Sequence, residues 1–446
     1  MWNFLLTHTP LLYFVQSLWR DEAFSVLVAE KPISFFFGKL TFEPPFYYIL
    51  LHFWIKIFGE SEIAVRSLSF LAFALAIVVV IFWAEKLFKK HWLSWFLPLF
   101  FFVNPMLLYY AFEARTYGWY IFFAVLSMYA YMEKKWRTFI VASVLGFYTH
   151  SFFILLPAVC ALHFAVIRLQ KKRVALRPSL IAHPMIVSLI SIGLLIAPWL
   201  FVISKTFGVL KNSWYFPVDF QLVRSVIGNV FLGYEGTPGY LWNSTFIFSI
   251  ILILSFILTL KSSIRRERNL FFLLSVFFPL CIVIGISFIK PIFVNRYVIF
   301  VSIAEIFLIT FAIENMTNAF LQKLTASIFL TGVIVFNIWY APFHKKVDIR
   351  DTFAQINAVK TDKDVIFAHS PLVFFESIYY SKNRSQVYLF NPNEGAFPWY
   401  VGDILVSPSQ MATTIPVYPN RAFIVNTDGS FMVTYQTSVI AKPKNK

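Results

Sequence analysis

The sequence predicts an all-α polytopic membrane protein of about 10 to 11 transmembrane helices, followed by a small extracytoplasmic α/β domain at the C-terminus. Three observations predict it. Hydrophobic residues make up 59% of the 446 positions and charged residues 13%, about half the charged share of an ordinary globular chain. The apolar residues arrive in blocks of about 20, the length a helix needs to cross hydrocarbon at 1.5 Å per residue. From Pro342 onward the composition changes abruptly to short apolar runs punctuated by Pro, Asn and Gly, the pattern of strands and turns. The division therefore falls at residues 1–342 and 343–446.

The net charge of +16 raises the question of nucleic acid. Before Lys345 there are 27 basic and 14 acidic residues, and 16 of the basic ones fall in short clusters. These are Lys86-Lys89-Lys90, Lys134-Lys135-Arg137, Arg168 through Arg177, Lys261 through Arg268, and Lys323. That is the positive-inside signature of cytoplasmic loops and not a basic face for a duplex. A nucleic-acid partner is not expected. Both cysteines, Cys160 and Cys281, lie in apolar runs, which excludes a disulfide framework and predicts small buried thiols. No basic segment and small-residue cleavage site of a signal peptide stands out at the start.

With the basic clusters as inside markers, spans are predicted at 68–83, 92–110, 117–132, 138–149, 152–167, 180–204, 241–260, 269–289, 298–313 and 324–340. Residues 1–18 form a short first crossing from a cytoplasmic N-terminus, weakened by Thr7, His8 and Pro10. This threading puts loop 20–66, loop 205–243 and the C-terminal domain on the outer face. Only 30 residues separate the inside markers Arg137 and Arg168. Two helices of about 15 residues reach only some 22 Å each, short of a 30 Å core, so this hairpin should line a cavity or thinned membrane. His150 sits at its turn, within protein.

Loop 20–66 is more than a connector. Pro44-Pro45 stops one element, and residues 46–58 read as an aromatic-rich helix whose Tyr48, His52 and Lys56 recur every four residues. One polar face on an apolar rod predicts a helix lying in the interface plane. In the C-terminal domain a helix is expected over 348–359, with strands near 364–369, 387–390, 403–406 and 422–426. No phosphate-binding glycine loop occurs there, so no chemistry is assigned to it.

Six of the 14 acids of the membrane part crowd into 21–62. Asp21 and Glu22 are adjacent and follow Trp19 at the membrane surface. An acidic loop edge is often only solvated. Arg115, His150 and Arg296 each sit at the outer mouth of a helix pair, where a lone cation is ordinarily an interfacial anchor that snorkels. Their convergence at one depth favours function. Glycosyl transfer from a polyprenyl phosphate has a good leaving group and needs no general acid. It needs one carboxylate to take a proton from the acceptor hydroxyl, and cations for the departing phosphate. A glycoside hydrolase would need two carboxyls at a set separation.

The motifs then become specific: WRDEA at 19–23, EPPFYY at 43–48, FGESEIAVRSLS at 58–69, EARTY at 113–117 and THS at 149–151. In this order and spacing they resemble the opening of GT-C membrane glycosyltransferases. The nearest branch is similar to the protein O-mannosyltransferase and aminoarabinose-transferase-like family, including RgtA/B/C/D-like enzymes. The resemblance covers most of 19 to about 164, with NRY at 295–297 a weaker echo. It implies a polyprenyl-phosphate sugar donor, an inverting mechanism, and Asp21 as base with Glu22 its partner or an acceptor-side contact. It also makes Arg115, His150, Arg296 and Glu113 candidate substrate contacts. The acceptor is an envelope lipid, glycan or protein. No resident cofactor or metal site is expected, and the sequence leaves open any need for a divalent metal.

Two rival classes are a transporter or flippase for a lipid-linked sugar, and a catalytically inactive relative with an abbreviated first segment. A transporter should show repeated halves with broken helices at the midplane, and no such repeat is present. Glu305 is the one acid inside a predicted span. An intramembrane carboxylate is a functional hypothesis by default, but near the inner end of its span it can equally reach the surface or bond a neighbouring helix.

Overall fold

The structure is a computed structural model that describes residues 2–40, 43–170, 183–206, 217–260, 265–395 and 402–437. The inside markers Lys171, Lys172, Arg173, Arg177 and Lys261 lie outside the described residues.

Apolar sequence blocks become helices at nearly the expected positions. Among the described residues, six are long and apolar enough to cross a membrane: Glu62–Phe88, Ser151–Gln170, Pro184–Lys205, Gly239–Thr259, Arg266–Ser287 and the helix that begins at Ala319. The chain is a multi-pass membrane protein. The span expected over 92–110 is a pair, Leu93–Phe102 and Pro105–Ala111, bent by 54°. Asn104 makes the break, its side chain accepting from Leu107 N–H, and Pro105 has no N–H to continue the upstream ladder. Tyr117–Met132, Trp136–Thr149 and Phe300–Glu314 form where predicted but run only 16, 14 and 15 residues. In the expected short hairpin, only the first helix is short, since Ser151–Gln170 reaches 20 residues.

The core is built on Phe300–Glu314, buried over nearly its whole length. Around it, Trp83, Phe272 and Phe307 stack, with Phe272 and Phe307 centroids 4.8 Å apart. Rings packed this way gain about 0.5–1.5 kcal/mol beyond their burial. Aliphatic and aromatic side chains left outward on the long helices, such as Leu194, Leu254 and Phe201, suit a lipid surround. Cys160 is buried as expected, but Cys281 faces outward from its helix.

Two expectations for the first 66 residues change. Residues 1–18 do not make one crossing: Trp2–His8 and Leu11–Val15 are separate short helices, because the Thr9-Pro10 turn ends the first ladder. Second, the acidic stretch is helical, running through Arg20–Ala29, Ile33–Lys39 and Phe46–Phe58. The polar face predicted on Phe46–Phe58 points into protein at its start. Tyr48 and His52 are buried, with His52 Nδ1 2.6 Å from the Ala29 carbonyl, while Lys56 and Ile57 remain outside. Those polar groups found protein partners, which a helix in the interface plane would have left in water.

The C-terminal chain forms a five-stranded sheet: β1 Val365–Ala368, β2 Val387–Phe390, β3 Met411–Ala412, β4 Ala422–Val425 and β5 Phe431–Thr434. Its order is β3-β2-β1-β4-β5, parallel except for β5. The strand expected over 403–406 is a 3-10 turn, Asp403–Leu405, and the edge is taken by β3. Helices Ile349–Val359 and Pro371–Tyr380 cover the sheet. The first was expected; the second was not. Ala23 and Leu27 of the Arg20–Ala29 helix belong to the same apolar core as Phe374, Phe375 and Val387. The sheet domain is thereby docked on the acidic helix.

Candidate active site

The acidic pair opens the Arg20–Ala29 helix, in its first turn. Carboxylates there complement the unpaired N–H groups and positive end of the helix. Glu22 Oε2 accepts from Trp19 N–H at 3.3 Å, so the pair defines where the helix begins. One residue apart on the first turn, the two side chains diverge.

Glu22 points into the protein. Its Oε1 accepts from Arg66 Nε at 2.8 Å and from Ala114 N–H at 2.8 Å, and its Oε2 from Arg66 Nη2 at 2.6 Å. Both side chains of this pair are 1% exposed. Arg66 also donates to the carbonyls of Phe14 and Ser17. Every strong acceptor position of Glu22 is occupied, so it cannot be the acceptor-side contact expected for it. It is the brace that joins the Arg20–Ala29 helix, the Glu62–Phe88 helix and the 112–116 turn.

Asp21 points the other way, into a cluster of cations. Arg20 Nη2 is 2.7 Å from Oδ1, and Arg115 Nη1 is 3.7 Å from Oδ2. Burial pushes the Asp21 carboxyl up, but Arg115, Arg20 and Arg296 outweigh it and bring it down to about 2. Asp21 is ionised. Arg115 also reaches Glu43 Oε1 with Nη2 at 3.2 Å, and its buried Nε has no hydrogen-bond partner among the described residues.

The turn 112–116 carries Arg115 and depends on a close helix approach. A Cβ on Gly118 would lie 2.3 Å from the Ser69 carbonyl oxygen, so only glycine lets Tyr117–Met132 meet Glu62–Phe88 there. At this contact Ser69 Oγ donates to the Arg115 carbonyl at 2.9 Å. Glu113, in the same turn, is buried, and its Oε2 is unpartnered among the described residues. Burial raises its carboxyl to about 7, with Lys346, Arg296 and Arg115 pulling it down and Glu22 pushing it up.

Arg296 arrives on the Asn295–Val298 turn, held by Asn295 Nδ2 on the Tyr234 carbonyl and by Tyr120 OH on the Tyr297 carbonyl. It lies 3.6 Å from Glu235 and within the field of Asp21. Four of the expected residues, Asp21, Glu113, Arg115 and Arg296, therefore lie within one another's electrostatic reach. His150 lies near these charges without sharing them. It stacks on Tyr120 at 5.2 Å and 7°, packs against Tyr297, and accepts from Phe152 N–H. Burial, Arg115 and Arg296 push it down to about 3. His150 is therefore a neutral ring, which suits a sugar contact better than a phosphate contact among the two expected for it.

Several members were not anticipated. Glu43 stood in the EPPFYY motif without a role, and it binds Arg115 and accepts from Tyr48 OH. Arg20 was the neighbour in the WRDEA motif. Lys346, whose Nζ meets Tyr109 OH at 2.9 Å and lies 4.4 Å over the Trp19 ring, comes from more than 300 residues away and left no local signal. Glu305 lies apart from the site. It is fully buried and neither oxygen has a hydrogen-bond partner among the described residues. It therefore reaches neither the surface nor a bonding neighbour, against both structural expectations for it.

No protein-family model matches the sequence, and no curated protein matches it. Solved structures do. The crystal structure of ArnT from Cupriavidus metallidurans in the apo state superposes with a TM-score of 0.60 at 15% identity, covering 95% of this chain and 93% of that one. The same protein bound to undecaprenyl phosphate gives 0.58 at 13% identity over the same shares. This chain has the ArnT fold. The likeness extends over both the helical region and the C-terminal sheet, so the fold implied by the GT-C resemblance is the fold observed.

Proposed function

We propose that this protein is a membrane glycosyltransferase that moves a sugar from a polyprenyl-phosphate carrier to an envelope acceptor, with Asp21 as base. The observation that carries the reading is the ionised Asp21 carboxylate held among Arg20, Arg115 and Arg296 at the edge of a membrane bundle. ArnT, which shares the fold, has been crystallised with undecaprenyl phosphate, and a carrier of that class suits these cations.

A carboxylate near 2 is a feeble base, since efficient bases sit nearer the working pH. The donor removes that difficulty. Its phosphate competes for the same guanidinium groups, bidentate partners that Arg favours. Once Arg115 and Arg296 turn to phosphate, Asp21 loses the charges that depress it and its basicity rises in the loaded site. The acceptor hydroxyl then attacks the anomeric carbon opposite the phosphate. The new C–O bond forms as the bond to phosphate oxygen breaks, the hydroxyl proton passes to Asp21, and the phosphate leaves with its electron pair on the cations. Configuration inverts. The reading places this site and the sheet domain on the extracytoplasmic side, in keeping with the basic clusters at the opposite helix ends.

Mass analysis of envelope lipids and glycans, in cells carrying wild type or Asp21→Asn, tests it. The expected result is a product that disappears in the variant, with transfer reduced by about 10²-fold or more while undecaprenyl phosphate still binds. Wild-type levels of product in Asp21→Asn would remove Asp21 as base.

A further inference from the structure

Lys346 is a cation beside the acidic helix that pairs with no carboxylate among the described residues. It lies between the Ala341–His344 turn and the Ile349–Val359 helix, on the segment that leads from the bundle to the sheet domain. Among the described residues its Nζ makes one hydrogen bond, to Tyr109 OH at 2.9 Å. Two aromatic faces hold the rest of the ammonium, with Nζ 4.4 Å from the centre of the Trp19 ring and 5.6 Å from that of Tyr109. A ring face attracts a cation without cancelling its charge. The backbone here is fixed: Lys346 N–H donates to Gln16 Oε1 at 2.9 Å, and Ser17 Oγ donates to the Val347 carbonyl at 2.8 Å. Trp19 caps the helix that Asp21 opens, and Tyr109 stands on the Pro105–Ala111 helix, which runs into the turn of Glu113 and Arg115. Tyr109 meets Tyr110 edge-on at 4.9 Å, Tyr110 OH donates to Glu235 Oε1 at 2.9 Å, and Glu235 lies 3.6 Å from Arg296. On the two segments that Lys346 touches, Trp19 Nε1, Glu113 Oε2 and Arg115 Nε are buried without a partner among the described residues. Buried donors and acceptors are ordinarily satisfied, so this grouping marks a place for a polar ligand.

We propose that Lys346 is a phosphate-binding residue of the Asp21 site, holding the phosphate of the polyprenyl carrier alongside Arg115 and Arg296. The inference rests on the transferase reading for the identity of the anion. Arg115 is engaged by Asp21 and Glu43, and Arg296 by Glu235, so each gives up part of an ion pair when it turns to phosphate. Lys346 gives up none. Its ring contacts can stay, and its spare N–H groups form charge-assisted hydrogen bonds to a phosphate oxygen, which are of the strong kind. The bonds to Gln16 and Ser17 fix where the side chain starts, so less freedom is lost on binding. The segment that ties the sheet domain to the bundle thereby contributes a group to the reaction.

The test uses the full chain in nanodiscs of zwitterionic phosphatidylcholine, so that no anionic headgroup competes, with undecaprenyl phosphate as probe. Lys346→Met keeps the length and apolar body of the side chain and removes its charge. It should bind the probe on the order of tenfold more weakly than wild type, and its affinity should fall less steeply as salt is added. A merely structural lysine would lower thermal stability when replaced and leave the salt dependence as in wild type. A second readout needs no variant: acylation of lysines in the wild-type protein, mapped by peptide mass analysis. Lys346 should react in the free protein, be protected by undecaprenyl phosphate and be left unprotected by undecaprenol, which has the same chain and no phosphate. Wild-type affinity or an unchanged salt dependence in Lys346→Met overturns the proposal. So does labelling of Lys346 that is the same with and without the phosphate lipid, or equal protection by undecaprenol. Protection by inorganic phosphate alone at the same concentration overturns the carrier as the source of the anion. Failure of wild type to bind the probe at all overturns the donor reading as well. Full transfer by Asp21→Asn would remove the base and leave this binding result standing.

Discussion

The floor and the mouth of the first acidic turn make opposite use of the same chemistry. On the floor, Glu22 and Arg66 are both about 1% exposed, face each other through two hydrogen bonds and have their remaining capacity filled by backbone. At the mouth, Asp21 sits next to Arg20, whose side chain is 22% exposed, and Arg115 stands off at 3.7 Å with one N–H unpartnered among the described residues. A saturated pair holds a fold together; a loosely shared set of cations can be taken over by a ligand. Adjacent carboxylates on one helix thus carry different duties, and the difference lies in how much of each is already spoken for.

The largest expected effect comes from breaking the floor. Glu22→Ala or Arg66→Ala leaves an uncompensated buried charge, which costs about 3–5 kcal/mol. Thermal unfolding in detergent should show a much lower midpoint, or no folded protein. Asp21→Asn should lower that midpoint by clearly less, because only the partly exposed charge of Asp21 is lost. Equal destabilisation by the two changes would erase the distinction between floor and mouth.

Arg115→Ala is the next test. It should weaken undecaprenyl phosphate binding by about 1.5–3 kcal/mol, the value of a charged hydrogen bond. Unchanged affinity would count against a phosphate role.

Glu113 sharpens the comparison through pH. Its carboxyl is raised to about 7 when folded, above its ordinary value near 4.5, so the folded state holds the proton more tightly. The stability it contributes is fully present below about pH 4.5 and is lost as pH rises through about 7. Asp21 has the opposite sign. Its depressed carboxyl contributes stability above about pH 4 that is lost as pH falls towards 2. Glu113→Gln should flatten the midpoint between pH 4.5 and 7; an unaltered profile would place the titration elsewhere.

The smallest effect belongs to the rim. Arg384 joins the sheet domain to Glu30 and Glu60 at 2.7 and 2.9 Å, with its side chain 33% exposed. An exposed pair of this kind contributes about 0.2–1 kcal/mol. Arg384→Ala should therefore shift the midpoint by little, and less as salt is added.

The sequence by itself determined the membrane helices, because a block of about 20 apolar residues has few other ways to satisfy its backbone in lipid. Positions of Tyr117–Met132 and Phe46–Phe58 were legible to the residue, and so were the change of composition near Pro342 and the motifs holding Asp21, Glu113, Arg115 and Arg296. Tertiary structure alone decided which way each side chain faces. The one-residue step from Asp21 to Glu22 turns the side chain by about 100° around the helix, and only Arg66 and the Ala114 N–H reveal which of the two is sealed. His150 lost its charge to burial among rings from three segments and to the nearby charges of Arg115 and Arg296. Lys346 reached the site from the far end of the chain, through contacts that leave no periodicity or spacing to read. Helices follow from local hydrophobicity; the charge state of a site follows from neighbours brought together in space.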